Sequence, residues 1–427
     1  MNINDLIDKL HCGFYDVKFQ TLYGNDDAER QAVRYENAAI EFLKYYPAHK
    51  NDDISVFSAP GRTEIGGNHT DHQRGCVLAA AVSLDVIAIV CFHNEGVIRV
   101  KSEGYEAFEV SLDDLSARAG RKNSSEIVRG IAAGFTEMGV QICGFDLYST
   151  SDVLSGSGIS SSAAFETLIG TIIDCHYNDG KAGAVRIAKI GQYAENVYFG
   201  KNSGLMDQMV SSVGGLVAID FNNIENPEIS SFKCDFERFG YCICITDTKG
   251  SHADLTDDYT AVRSEMESVA EKFGKKYLRD VDEKEFYNSI PLLRKSCSDR
   301  AILRSAHFFS ENRRVKQETE ALLNEEFEFF LDLVRKSGNS SADLLQNLYS
   351  ITNFKNQEIP LAIMISKKIL GSYGAVRVHG GGFAGTVQAF VPVEKTEEYK
   401  KEMTRIFGEG SCLKLHIRPF GGLKIAE

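Results

Sequence analysis

Side chains able to do chemistry are concentrated in a few short segments of this chain. Leu154 to Ala164 reads Leu-Ser-Gly-Ser-Gly-Ile-Ser-Ser-Ser-Ala-Ala. Gly156 and Gly158 let the backbone turn tightly and approach a ligand, and the helix that opens at the serines aims unpaired N–H groups and a positive dipole end at an anion. Such a loop is suited to holding phosphate, although no lysine follows and it is therefore not a P-loop. A flexible Gly/Ser connector would not run directly into the apolar helix begun by Ala163, Ala164, Phe165, Leu168 and Ile169.

Thr63 to His72, Thr-Glu-Ile-Gly-Gly-Asn-His-Thr-Asp-His, crowds hydrogen-bonding side chains between two strands. Buried polar groups need partners, which a polyhydroxylated ligand would supply and an exposed polar turn would not require. Glu195 shares a helical stripe with Ala188, Gly191 and Tyr198, and is open to two readings: a solvated edge charge, or a metal ligand where the backbone is closely approached. Asp207 falls in the first turn of a helix beginning in Asn202 to Met209, with Ser203 as its cap; a carboxylate there also suits the helix dipole. His379-Gly-Gly-Gly-Phe-Ala-Gly385 has more glycine than a tight turn needs, implying close backbone approach.

The elements that position these groups follow from hydrophobic periodicity. Asp27 to Tyr46 reads as an amphipathic helix ended by Pro47, Ile54 to Ser58 as a strand followed by an Ala59-Pro-Gly-Arg62 turn, and Cys76 to Phe92 as a long strand. Val97 to Val100 and Phe145 to Ser149 read as strands, and Ser125 to Met138 and Ala184 to Phe199 as helices. Gly214 to Phe221 returns as a strand, and Asn/Pro-rich Asn222 to Pro227 marks a boundary between domains 1–225 and 226–427. Beyond it come a strand at Tyr241 to Asp247, helices to about Leu370, and a hairpin formed by Gly374 to Val378 and Thr386 to Val391 around the glycine turn.

Composition narrows the class of function. A chain of 427 residues can hold about two domains with substantial cores. The net charge of −13 argues against nucleic-acid and anionic-membrane partners. Ten scattered cysteines form no Cys-x-x-Cys pair, and they read as reduced core residues of a cytoplasmic protein. The longest apolar run, Val77 to Phe92, is interrupted by Ser83 and Asp85, and Met1 to Leu10 alternates polar and apolar residues without a signal-peptide core.

Taken together, the glycine-bearing segments resemble the GHMP kinase family, and the first looks most like galactokinases. Galactokinases carry Ala-Pro-Gly-Arg and then Asn-hydrophobic-Ile-Gly-Glu-His-Thr-Asp-Tyr; Ala59 to Arg62, Gly67, His69, Thr70 and Asp71 match, whereas Glu64, Gly66, Asn68 and His72 depart. Gly156 to Ala164 match the second motif with Leu154 in place of a usual proline, and Gly380 to Phe383 and Gly385 match the third with Ala384 in place of a glycine. The resemblance implies an α/β (α+β) two-domain fold, with an N-terminal mixed-sheet domain and a C-terminal antiparallel sheet covered by helices. It implies ATP and Mg²⁺, with Gly156, Ser157, Gly158, Ile159, Ser160, Ser161 and Ser162 on the phosphates, Ser102 toward adenosine, and Ser162 and Glu195 on the metal. It makes Asp207 and Arg62 catalytic and places Asn68, His69, Thr70, Asp71, Gly204 and Tyr259 around a sugar. The implied reaction is phosphorylation of galactose at C1 by a protein with no obligate protein partner. Two alternatives stand beside it. One is a 1-kinase for another sugar, such as 2-acetamido-galactose or L-arabinose, suggested by Asn68. The other is a galactokinase-like sensor acting through a partner, although such sensors lose the Ser-Ala pair kept here as Ser162 and Ala163.

Overall fold

The computed structural model describes all residues except Ala119, 154–158, Asn202 and 251–254. Among the described residues seven strands form up to Phe232: β1 (Ile54–Gly66), β2 (Cys76–Phe92), β3 (Val97–Ser102), β4 (Phe108–Ser111), β5 (Gly144–Ser151), β6 (Leu216–Asp220) and β7 (Glu228–Phe232). Five follow beyond it: β8 (Tyr241–Asp247), β9 (Ala375–His379), β10 (Thr386–Pro392), β11 (Cys412–Leu415) and β12 (Leu423–Ala426). The first sheet has eight strands, in the order β12-β1-β2-β5-β3-β4 with β6 and β7 branching from β2. It is mixed, because β3 and β5 run parallel while its other pairings are antiparallel. The second sheet, β11-β8-β10-β9, is antiparallel throughout. This is the expected fold class. The first sheet draws on both sides of residue 225, since β7 and β12 hydrogen-bond into it.

Alternation along β2 decides what each face of the first sheet meets. Ile87, Ile89 and Cys91 pack against the helices Ile3–His11, Asp16–Tyr23 and Ala28–Tyr45, through Leu6, Phe19, Tyr35 and Phe42. Val86, Ala88 and Val90 face Ile131, Leu168 and Ile172 of the helices Ser124–Glu137 and Ser161–Tyr177. The N-terminal segment is thus a helix with Ile3, Leu6 and Leu10 buried on one side; its polar and apolar residues follow a helical spacing rather than an extended one. In the second sheet, Val376, Val378, Val387 and Ala389 face Ile359, Ala362, Tyr399 and Met403 of two covering helices.

Three local expectations are corrected. Ala59 to Arg62 is not a turn: β1 runs through it, and a register shift between Pro60 and Arg62 accommodates the proline, which cannot donate a ladder bond. Ser203 is not a cap; its hydroxyl and amide both donate to Asn196 Oδ1, and the helix starts later, at Met206. The long helix from residue 184 ends as Gly183–Tyr193 and passes into a π-helical turn, Ala194–Phe199, which carries Glu195. Such turns are frequent at functional sites.

A buried ionic knot ties the chain's two ends to the sheet. Asp85 accepts Arg34 Nη1 at 2.6 Å, the Tyr23 hydroxyl at 2.6 Å and Arg418 Nη1 at 2.9 Å, and the Ser58 hydroxyl as well. Burial would raise the Asp85 carboxyl, but Arg34 and Arg418 hold it below its ordinary value.

Candidate active site

At the centre of the site Arg62, on β1, grips Asp207 with two bonds, Nε to Oδ1 at 2.8 Å and Nη2 to Oδ2 at 2.7 Å. The Ser160 hydroxyl also donates to Asp207 Oδ2, and the Arg62 amide donates to the Ile159 carbonyl at 3.0 Å. The pair therefore adjoins the start of the helix Ser161–Tyr177. Burial alone would raise the Asp207 carboxyl; Arg62 and Ser160 outweigh it and hold the group below its ordinary value, so it is a carboxylate at neutral pH.

On one side of this pair lies the polar segment, clasped by the glycine turn. His69 Nε2 donates to the Gly381 carbonyl at 2.8 Å and the Tyr259 hydroxyl to that of Gly382 at 3.0 Å. Asn68 Nδ2 donates to the Gly380 carbonyl at 2.6 Å. The run of glycines is explained by this clasp: a Cβ on Gly381 would lie 2.5 Å from the Tyr259 ring, and one on Gly382 would lie 2.2 Å from the Asn347 carbonyl. Gly204 faces Asp71, whose Oδ2 would be 3.3 Å from a Cβ at that position. Burial raises the Asp71 carboxyl, His69 opposes the shift, and Asp207 adds to it, so the two aspartates share one field.

Two members of the expected sugar set turn inward. Thr70 is fully buried, and its hydroxyl is occupied by the Gly67 and Cys76 carbonyls at 2.9 and 2.6 Å. Asn68 is fully buried as well, with both amide hydrogens donated to protein acceptors. Neither has a free polar group to offer a sugar; both shape the turn that presents His69 and Asp71.

On the other side opens a cleft of about 890 Å³. Ser161, Ser162, Glu166, Glu195 and Lys201 line its polar end, and Ser102 lines it farther along with Phe108 and Phe165. Ser102 and Ser149 share a hydroxyl bond of 2.8 Å there. Gly156, Ser157 and Gly158 lie outside the described residues. Glu195 and Glu166 are both buried, and one amide bridges them: Gln208 Nε2 donates to Glu195 Oε2 at 3.0 Å and to Glu166 Oε2 at 2.9 Å. Lys201 Nζ reaches Glu195 Oε1 at 2.6 Å, while Glu166 Oε1 is buried with no partner among the described residues. Burial and then Glu195 push the Glu166 carboxyl well above its ordinary value. Two close carboxylates, an orphaned oxygen and the Ser162 hydroxyl are a hard-oxygen set that fits Mg²⁺. Gly191, in the small-residue stripe, leaves room for Glu166 and Gln208, whose atoms would lie 3.3 and 3.4 Å from a Cβ there.

Sequence reasoning did not bring Glu166, Lys201 and Gln208 to Glu195, where the structure places them. A signal existed for Glu166: it lies one turn beyond Ser162 as the sole charge among Ala163, Ala164, Phe165, Leu168 and Ile169.

A helix start beside an Arg–Asp pair, set in this two-sheet frame, is a GHMP-kinase fold. The GHMP kinases N terminal domain matches residues 126–215, and the galactokinase galactose-binding signature matches residues 41–92. A galactokinase of Glaesserella parasuis is 33% identical over 350 residues, covering 80% of this chain and 86% of its own. One of Mannheimia succiniciproducens is 29% identical over 361 residues, covering 83% and 89%. The chain belongs to the galactokinase family. It is a sugar kinase, a phosphotransferase using ATP. Among solved structures, Lactococcus lactis galactokinase complexed with galactose superposes with a TM-score of 0.75 at 22% identity, covering 90% of this chain and 98% of its own. Methanococcus jannaschii mevalonate kinase superposes with a TM-score of 0.60 at 16% identity, covering 86% and 99%. Among the described residues no helix is long and apolar enough to cross a membrane.

Proposed function

We propose that this chain transfers the γ-phosphoryl group of Mg-ATP to the anomeric hydroxyl of galactose. The observation that carries the reading is the Arg62–Asp207 pair, flanked by the Asp71 and His69 side chains on one side and by the Ser161–Tyr177 helix start on the other. Phosphoryl transfer asks a protein mainly to position groups and neutralise charge on the transferring oxygens. Asp207, held ionised, accepts a hydrogen bond from the sugar hydroxyl and fixes its direction of attack. As the sugar O–P bond forms and the bond to the leaving ADP oxygen breaks, the hydroxyl proton becomes acidic enough to pass to Asp207. Arg62 and the helix N-terminus supply positive charge to the phosphoryl group in flight.

Ser162 and Glu195 would hold Mg²⁺, with Glu166 behind them, and Lys201 already places positive charge on Glu195. Bound there, the ion would neutralise phosphate charge and orient the nucleotide. Ile159 to Ser162, with Gly156, Ser157 and Gly158 before them, would cradle the phosphates, and Ser102 would meet the adenosine end of the cleft. Asp71, His69, Gly204 and Tyr259 would enclose the sugar.

Phosphorus NMR of the product formed from galactose and Mg-ATP tests this reading. A sugar 1-phosphate is expected; phosphate on C6, or ADP release without a sugar phosphate, contradicts it. Glu195→Gln should lower activity in a way that raised Mg²⁺ partly restores, and unchanged Mg²⁺ dependence would remove Glu195 from the metal site.

A further inference from the structure

The galactokinase pattern has an asparagine where this chain has Glu64 and a glutamate where it has Asn68, so along β1 and its turn the carboxylate and the amide have changed places. Asn68 is fully saturated by protein. Its amide hydrogens go to Glu64 Oε1 at 3.1 Å and the Gly380 carbonyl at 2.6 Å, and its oxygen takes Asn347 Nδ2 at 2.9 Å and the Ser341 hydroxyl at 3.5 Å. A carboxylate could not stand there unaltered, because it has no hydrogen to give the Gly380 carbonyl.

Glu64 is different. Its Oε1 accepts Asn68 and Arg377 Nη2, the latter at 2.8 Å, but its Oε2 has no hydrogen-bond partner among the described residues and is not sealed from solvent. Alternation along the strand puts Glu64 on the same side as Arg62, whose guanidinium holds Asp207. Arg62 and Asp71 are both close enough to act on the Glu64 charge. One carboxylate oxygen is thus anchored by a buried arginine and an amide, while the other has no hydrogen-bond partner among the described residues.

We propose that Glu64 is the carboxylate that reads a sugar hydroxyl in this chain, and that Asn68 positions it. This deepens the sugar-kinase reading and rests on it. A single free oxygen presented from the strand, instead of a glutamate on the turn, contacts the sugar from a different position, so the substrate ranking is set by residue 64.

The test measures kcat and KM for galactose and its 2-, 3-, 4- and 6-deoxy analogues, with wild type and Glu64→Gln, and follows ATP KM in parallel. Glu64→Gln should raise the sugar KM roughly ten- to a hundredfold with ATP KM unchanged. The loss should largely vanish on the one analogue that lacks the hydroxyl Glu64 reads. A loss equal on every analogue, or no loss, overturns the proposal. If Glu64→Gln folds poorly, Glu64→Asp supplies the second arm: it keeps the charge but withdraws the carboxylate from the sugar, so it should show a KM loss that largely vanishes on the same one analogue, and a loss equal on every analogue also overturns the proposal. Failure of the wild type to phosphorylate any of these sugars at C1 is a different result: it refutes the galactose 1-kinase reading on which the proposal rests.

Discussion

Two buried ionic clusters flank the same sheet and are built in opposite ways. Around Asp85 one carboxylate has four donors, from Arg34, Arg418, Tyr23 and Ser58, and the residues joined come from the N-terminal helices, the sheet and the C-terminal tail. Around Glu195 two carboxyl groups share one amide, one of their oxygens has no partner among the described residues, and the cation in contact is a half-exposed lysine. A buried polar group left unpaired costs about 1–3 kcal/mol. The satisfied knot serves the architecture, and the unsatisfied pair is the one that the proposed metal site would complete.

The comparison breaks most visibly at Asp207. Asp207→Asn should lower kcat roughly 10²- to 10⁴-fold, with ATP KM little changed, as steady-state assays will show. A retained kcat would place Asp207 with Asp85 as a structural anion. Asp85→Asn should do the reverse, losing about 3–5 kcal/mol of stability because two buried arginines lose their anion. Urea unfolding reads that loss, and kcat per folded molecule should stay at the wild-type level. The Asp85 carboxyl is depressed in the folded state, so its stabilisation is present above the unfolded value and disappears as pH falls through the folded one.

Glu318 sharpens the contrast. Both its oxygens are buried without a partner among the described residues, and burial with Glu311 nearby raises its carboxyl well above the ordinary value. It sits where Gly66 leaves space, since a Cβ there would be 1.8 Å from Glu318 Oε2. The folded state binds this proton more tightly than the unfolded one, so the contribution is full at acid pH and is lost as pH rises. Glu318→Leu should therefore stabilise the protein by about 1–3 kcal/mol, and by more at pH 8 than at pH 5. A destabilised variant at both pH values would mean that Glu318 has a partner after all.

Sequence periodicity revealed most elements, because long strands such as Cys76–Phe92 and Tyr241–Asp247 carry uninterrupted apolar runs bounded by polar segments. It failed at Pro60, where a local turn signal was overridden by pairing with a long neighbouring strand. It failed again at Ser203, where Asn196 captured the expected capping hydroxyl. Of the candidate site residues, Arg62, Asp71, Asp207 and Glu195 stand in motifs, and the structure joins Arg62 to Asp207. The contact of Glu166 and Gln208 with Glu195 was not legible, because it arises from a meeting of three helical segments that no local spacing encodes. Glu64 and Asn68 were each legible only as a departure from the galactokinase pattern, and the hydrogen bond that joins them, on which the proposal about Glu64 rests, lies outside what sequence spacing encodes.

The most direct test is the urea midpoint of Glu166→Gln against wild type, at pH 7 without Mg²⁺, set beside the kcat of each with Mg-ATP. Replacing a carboxyl that burial and Glu195 disfavour as an anion with a neutral amide should raise stability by about 1 kcal/mol while kcat falls and the Mg²⁺ requirement rises. A variant less stable than wild type with unchanged kcat would show that the Glu166–Glu195 pair holds the fold, as Asp85 does, and the distinction drawn here would fail.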